Sequence, residues 1–273
     1  MNKELIKKAF EFYDINDKEY LDKCLETFDL INKDSNLKNR VLNLINTLYI
    51  KHEDNKFSDI INTSYEELFN TDNLYITNVI ILLGVDIHSN NIKEFDKEII
   101  EKHKFRVRDS LILYKDGMSI RQMTWLSHFL AGKIIEVGCL QYQIMDDYYM
   151  ECNIKIHIPR NTNLSTECVK DSINKSKEYI KKYYGIDNPR YFCNSWMLGS
   201  TTKDSLNKDS NIYKFIELFD IKEEYESLDV LRFVFETKNN DYSKLEEKTS
   251  LQRSLKKMLL DGRKLYNGIG ILK

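Results

Sequence analysis

Between Cys152 and Ile158 apolar and polar residues alternate, with Cys152, Ile154, Ile156 and Ile158 on one side and Asn153, Lys155 and His157 on the other. A period of two with one oily face belongs to a strand that lies with one side against a core. Pro159 ends it, because proline has no N–H to give to a ladder. A polar stretch follows, then Ser165 opens a run to Tyr184 in which Val169, Ile173, Ser176 and Ile180 share one helical face. A one-sided strand followed directly by a one-sided helix has two faces to bury, which predicts a sheet with helices packed on it.

The rest of the second half repeats this alternation. Strands are predicted over 134–145, 152–158, 191–196, 230–236 and 266–272, with the Asp146-Asp147 pair turning the first hairpin. Helices are predicted over 165–184, over 210–219 with Ser210 as cap, and over 251–260 with Gly262 as stop. The character of the chain changes near Phe105, where 109–114 reads as a strand, Lys115-Asp116-Gly117 as a turn and 120–130 as a short helix. Before that point apolar residues keep helical spacing: Leu5, Ala9, Phe12 and Tyr13; Leu21, Cys24, Leu25 and Phe28 after Asp17 as cap; Leu37, Val41, Leu44, Ile45 and Leu48; then 57–69 and 75–83. No chemical motif stands out in this region. The expected domains are a helical one over 1–105 and a mixed-sheet one over 106–273.

Composition narrows the class. Charged residues make up 31% of the 273, with a formal net charge of -2, which argues against a protein built to grip nucleic acid. No apolar run is long enough to cross a membrane, and the first residues lack the basic start and oily stretch of a signal peptide. The five cysteines are scattered with no CxxC spacing, so neither a disulfide framework nor a metal site is expected. A cytoplasmic protein is the expectation.

Six stretches, grouped in four places, carry a resemblance. They are Leu140-Gln141-Tyr142, then Ile156-His157-Ile158-Pro159. Next come Cys193-Asn194-Ser195-Trp196-Met197-Leu198, with Ser210-Asn211-Ile212-Tyr213-Lys214-Phe215, and last Thr249-Ser250-Leu251-Gln252-Arg253, with Asn267-Gly268-Ile269-Gly270. In order and spacing the chain resembles the acyltransferase-like proteins of Gram-positive bacteria that join a helical N-terminal domain to a GNAT-like C-terminal domain. The likeness covers the second half by these motifs and the helical half by layout. It implies an α+β fold: a helical N-terminal domain followed by a GNAT-like mixed β-sheet domain flanked by helices.

The resemblance further implies that an acyl-CoA lies where two neighbouring parallel strands splay apart, its pantetheine along one strand edge and its pyrophosphate on N–H groups at the start of the next helix. Carried onto this chain, the strand edge holds Ile156 and Ile158. The phosphate loop is Arg160, Asn161, Thr162, Asn163, Leu164 and Ser165, and the facing strand contains Cys193. A helix N-terminus does suit an anion. Against the family pattern Q/R-x-x-G-x-G/A the leading Arg160 is kept, Asn163 stands for the first glycine and Ser165 for the last small residue, while Glu167 would oppose a pyrophosphate. The plainer reading is a strand-to-helix loop capped by Ser165.

His157, on the polar side of its strand, suits a general base near neutral pH; the plainer reading is a histidine that anchors a loop. Glu136 and Glu151 compete with it as bases. The resemblance implies a tyrosine in the region of Tyr213 that protonates the leaving thiolate, though 17 tyrosines make such a placement easy by chance. Cys193 as an acyl carrier has no neighbour in sequence to lower its pKa, and a small buried hydrophobe is the simpler role. Trp196 reads as a core or pocket wall, and Gly268 and Gly270 suit a closing strand that another backbone approaches.

The resemblance implies an acyl-CoA-dependent N-acyltransferase that uses acetyl-CoA or another acyl-CoA and passes the acyl group to a small-molecule or peptide amine by direct attack; no metal is expected. No nucleic acid or membrane partner is expected, and the helical half is left for a protein partner or a homodimer. A second reading keeps the fold as a non-catalytic module for a CoA-like ligand or a protein partner. The departures in the phosphate loop favour it. A third is a structural protein with an empty cleft.

Overall fold

The structure is a computed structural model and describes residues 2–49, 75–237 and 239–273. The helix expected over 57–69 and the Leu48 side chain lie outside the described residues. Contacts divide the chain into two compact units, Met1–Glu136 and Val137–Lys273.

The first unit is helical: Glu4–Phe12, Lys18–Lys33, Ser35–Tyr49, Ile76–Leu83, Val85–Ile92, Lys97–Leu113 and Ile120–Leu130. Asp17 caps the second of these, its side chain accepting from the Tyr20 N–H. Ser119 and Gln122 close a capping box on the last, which satisfies two otherwise orphaned backbone donors. The core runs through Ile6, Ala9, Tyr13, Cys24, Phe28, Val41, Leu44 and the wholly buried stretch Ile76–Leu83. The strand expected over 109–114 is instead the end of the helix Lys97–Leu113. Val107 and Leu111 are its buried residues there, four apart, while Ile112 and Leu113 are exposed. The short run therefore has one buried helical stripe where a strand had been read. The helical region thus extends past 105, the expected domain boundary, to Leu130.

Inside this unit lies a chain of polar rings that the sequence reading passed over. The Tyr13 hydroxyl bonds His88 Nδ1 at 2.8 Å, and His88 Nε2 lies 3.5 Å from His103 Nδ1. Both imidazoles are fully buried. Burial holds His88 well below its usual pKa, with a push from His103, and takes His103 down to about 4.

The sheet has six strands in the order β1-β2-β3-β4-β6-β5, of which β2 to β6 lie in the second unit and β1 spans the division. Its strands are β1 (Ile134–Val137), β2 (Leu140–Tyr149), β3 (Cys152–His157), β4 (Tyr191–Ser195), β5 (Phe219–Glu226) and β6 (Tyr266–Leu272). The fold is α+β, a helical region followed by a mixed sheet with flanking helices. β2 and β3 are antiparallel, β3 and β4 parallel, and β6 lies antiparallel to both β4 and β5. The run 134–145 proves to be two strands, broken at Gly138 with φ 57°. The hairpin turns at Met150 and Glu151, both left-handed at φ 48° and 64°, and not at Asp146-Asp147, which stay inside β2.

The helix Thr166–Tyr184 follows β3 as expected, with the Ser165 side chain accepting from the Cys168 N–H at its start and Gly185 at φ 68° at its end. Ser172 and Ser176 on its buried face bond the hydroxyls of Tyr142 and Tyr191 at 2.8 and 2.9 Å. Those bonds explain why two serines sit on an otherwise oily stripe. Ser210 caps the helix Asn211–Ile216. The strand expected over 230–236 is the short helix Asp229–Val234, which buries Val230 and Leu231. The true strand, β5, precedes it; it is the sheet's edge and is exposed along most of its length.

The helix Ser250–Leu260 is closed by a Thr249–Gln252 capping box, and the Gln252 side chain also donates to the Val234 carbonyl at 2.9 Å. β6 passes so close to Leu198 that a Cβ on Gly268 would meet the Leu198 carbonyl oxygen at 2.5 Å.

Two outcomes follow from this packing. Gly268→Ala is expected to lower stability by about 1–3 kcal/mol, since a backbone atom and not a flexible side chain must move; denaturant unfolding measures it. The two histidines carry depressed folded pKa values, so their neutral forms favour the native state. That stability is complete above the unfolded value near 6.5 and is lost as pH falls below it, by up to about 1.4 kcal/mol per pH unit for each ring until its folded pKa is reached. Unfolding midpoints between pH 7.5 and 5 should fall, and fall less in His103→Gln.

Candidate active site

The parallel ladder between β3 and β4 joins Ile154 to Tyr191, Lys155 to Phe192 and Ile156 to Cys193, and ends there. Beyond that point the strands separate. His157 stays paired with Gln141 of β2, whereas Asn194 and Ser195 pair with Ile269 and Gly268 of β6. Pro159 and then Asn161, left-handed at φ 56°, turn the chain away from β3. A fork therefore opens in the sheet between 157–158 and 194–195, and the helix Thr166–Tyr184 starts a few residues beyond one arm of it.

Of the residues expected to line this cleft, Ile156 is fully buried and Ile158 half-buried. Cys193 is fully buried, and burial pushes its thiol up to about 12, which disfavours the nucleophilic thiolate.

The loop 160–165 is largely tied to its own chain. Thr162 donates to the Cys139 carbonyl at 2.7 Å, the Asn163 side chain accepts from the Ser165 N–H at 2.9 Å, and Ser165 caps the helix. Leu164 is buried. Asn163, which stands for the first glycine, is not left-handed, whereas Asn161 is, and Asn163 acts through its side chain. Arg160 is exposed and paired with Glu236 at 2.7 Å, and Glu236 itself has φ 52°.

His157 bonds the Gln143 side-chain oxygen through Nε2 at 2.8 Å. The Gln143 oxygen accepts, so Nε2 is the donor in this bond. Glu136 is held by Arg106 through two bonds of 2.6 and 3.0 Å and is nearly buried. It stands on β1, with β2 between it and β3. Glu151 lies in the β2–β3 turn and pairs with Arg190. Tyr213 opens the helix Asn211–Ile216, with the Lys203 ammonium 5.5 Å from its ring centre. Trp196 is partly buried against the small core of Val230, Leu231 and Leu255.

The sequence reading missed a polar row on the His157 side of the sheet. Gln141, Gln143 and Asn267 are buried there, and the half-buried Asn194 and the exposed Tyr225 lie on the same face. The Tyr225 hydroxyl donates to Asn194 Oδ1 at 2.9 Å and accepts from Asn267 Nδ2 at 3.3 Å, and the same amide donates to Asp229 at 2.9 Å. Gln141, Asn194 and Asn267 all stood in the stretches that carried the resemblance, but β5, which supplies Tyr225, had not been found.

This topology, with a parallel pair that parts beside a helix N-terminus, agrees with comparison to known families. The model of the GNAT-like C-terminal domain matches residues 134–272. The chain belongs to that family. Among solved structures, an acyltransferase in complex with decanoyl-CoA is 15% identical and superposes with a TM-score of 0.76, covering 97% of this chain and 86% of that one. A mutant acyltransferase in complex with octanoyl-CoA gives 15% and 0.77, over 99% and 88%. An acyltransferase in complex with CoA and 10C-teicoplanin gives 14% and 0.65, over 100% and 99%. At these identities the likeness is one of fold. No curated protein matches by sequence. Among the described residues of this GNAT-like chain, no helix is long and apolar enough to cross a membrane.

The bidentate pair gives Glu136 a structural role that can be measured apart from chemistry. Arg106→Ala removes a bidentate partner from a nearly buried carboxylate, and should lower stability by about 1–3 kcal/mol, read from urea unfolding.

Proposed function

We propose that the protein is an acyl-CoA-dependent acyltransferase that carries an acyl group from a CoA thioester to an amine by direct attack. The observation that supports this most is the fork, where β4 leaves β3 after Cys193 while β6 keeps it in the sheet. A strand end freed on one side leaves main-chain groups to pair with the amides of a pantetheine arm, along Ile156 to Ile158. The solved structures of this fold that hold decanoyl-CoA and octanoyl-CoA support the same reading, and the one that holds CoA with 10C-teicoplanin supports a small-molecule acceptor.

The pyrophosphate would meet the loop 160–165. Two exchanges are needed there. Arg160 must leave Glu236, and the Asn163 side chain must give up the Ser165 N–H. Both are cheap: an exposed ion pair is worth about 0–1 kcal/mol, and a charge-assisted bond to phosphate replaces a neutral one. His157 is the preferred base over Glu136, whose oxygens are bound by Arg106. The attacking nitrogen forms a C–N bond to the thioester carbon, its proton passes to the imidazole, the C–S bond breaks, and the CoA thiolate takes a proton, from Tyr213 in this scheme.

A second reading, a non-catalytic module for a CoA-like ligand, is favoured by one observation: the loop's own side chains already satisfy part of its N–H set. Melting curves and thiol release separate the two. Octanoyl-CoA should raise the melting temperature of the wild type, and Arg160→Glu should abolish the rise. His157→Ala should keep the rise and lose turnover by about a hundredfold. No rise with acetyl-, octanoyl- or decanoyl-CoA removes both readings. A rise without release of free thiol over a panel of primary amines leaves the module.

A further inference from the structure

We propose that the Asn194 side chain donates a hydrogen bond to the carbonyl oxygen of the bound thioester, and that Tyr225 positions it. This rests on the acyl-CoA reading above and adds a specific contact to it.

Asn194 is the first β4 residue beyond the last pair with β3. Strand alternation turns it to the opposite face from Cys193, the face on which His157 stands across the fork. β6 fixes its backbone through Ile269. Its side chain is not left to rotate either, because Oδ1 accepts from the Tyr225 hydroxyl at 2.9 Å. With the oxygen committed to Tyr225, the amide presents Nδ2 in the other direction.

The direction of the whole row decides what that amide can bind. Asn267, 3% exposed, gives its Nδ2 protons to Asp229 at 2.9 Å and to the Tyr225 oxygen at 3.3 Å. Tyr225 must then donate onward, and does so to Asn194. The carboxylate of Asp229 sets the orientation of Asn267, and each later group passes a donor along the row. Such chains polarise their members, so the terminal N–H is a better donor than an isolated amide.

A row that ends in a donor complements an acceptor. It does not fit an ammonium group, which would need an oxygen at this position. In a CoA thioester the acceptor that gains charge during attack is the thioester carbonyl oxygen, and a donor held in place before reaction stabilises that charge without reorganisation. The amide carbonyls of pantetheine offer the same chemistry, so the test distinguishes them.

Asn194→Asp is the decisive variant. It still accepts from Tyr225, so a purely structural role for Asn194 would survive, but it cannot donate and adds negative charge facing the carbonyl. Octanoyl-CoA labelled with carbon-13 at the thioester carbonyl is bound to each protein and its carbonyl stretch read by difference infrared spectroscopy. The stretch should lie at lower wavenumber on the wild type than on Asn194→Asp or Asn194→Ala, with Tyr225→Phe between them. Melting shifts with octanoyl-CoA should persist in all three variants. The same band position on wild type and Asn194→Asp overturns the assignment while leaving acyl-CoA binding intact. Loss of the melting shift for unacylated CoA in Asn194→Asp also overturns it, in favour of a pantetheine amide as the partner. A wild type that shows no melting shift removes the acyl-CoA reading itself, and this contact with it.

Discussion

The feature on which the second unit turns is that β4 changes partners along its length. Up to Cys193 it is hydrogen-bonded on both edges, to β3 and β6; past Cys193 only the β6 side continues. A strand with one free edge would normally invite another strand. Here it is held in place by β6, and β6 by its near contact with the turn at Leu198. That contact depends on Gly268, and Gly199 on the other side has an equally close approach, since a Cβ there would lie 2.0 Å from the Tyr266 carbonyl oxygen. At these two glycines β6 and the turn after β4 pack at backbone distance, which ties β4 to β6 beyond its last pair with β3.

The two faces of the sheet divide the work. Ile154, Ile156, Tyr142, Tyr191 and Cys193 face the helix Thr166–Tyr184, and the tyrosine hydroxyls on that side are satisfied by Ser172 and Ser176. The other face carries Gln141, Gln143, His157, Asn194, Tyr225 and Asn267. Burying so many amides costs free energy unless each finds a partner. Their bonds run toward the fork from both sides, from Gln143 to His157 and from Asp229 through Asn267 and Tyr225 to Asn194. The same face also carries the apolar Phe192, Ile269 and Ile271, so the polar residues are gathered toward one end of it, beside an oily patch.

The sequence made β3, Pro159 and the helix after them legible because each has a local cause: alternation, a missing N–H and a serine cap. The caps at Asp17 and Ser210 were readable for the same reason. Where the cause was not local, the reading failed. β5 is an edge strand rich in acids, Phe-Asp-Ile-Lys-Glu-Glu-Tyr-Glu, with a register shift between Ile221 and Glu223. It has only one neighbouring strand and little buried surface, so no oily alternation betrays it. The opposite error arose in 230–236, where Val230, Leu231 and Phe235 are buried by a single helical turn and its exit. Missing β5 hid Tyr225, and with it the link between Asn194 and Asp229.

The loop before the helix Thr166–Tyr184 shows why a weak match to a motif need not mean a lost site. A glycine-rich loop leaves its N–H groups bare for an anion, at the cost of an unsatisfied and more mobile backbone in the free protein. Here Asn163 and Ser165 cover two of those groups and Arg160 rests on Glu236. The Arg160–Glu236 pair lies at the surface and the Asn163 bond is between neutral groups, so a doubly charged pyrophosphate has the stronger claim on each. On the acyl-CoA reading proposed above, these substitutions would shift stability toward the empty loop and weaken nucleotide affinity. The fork, by contrast, has no side-chain substitute, because what it offers is main chain.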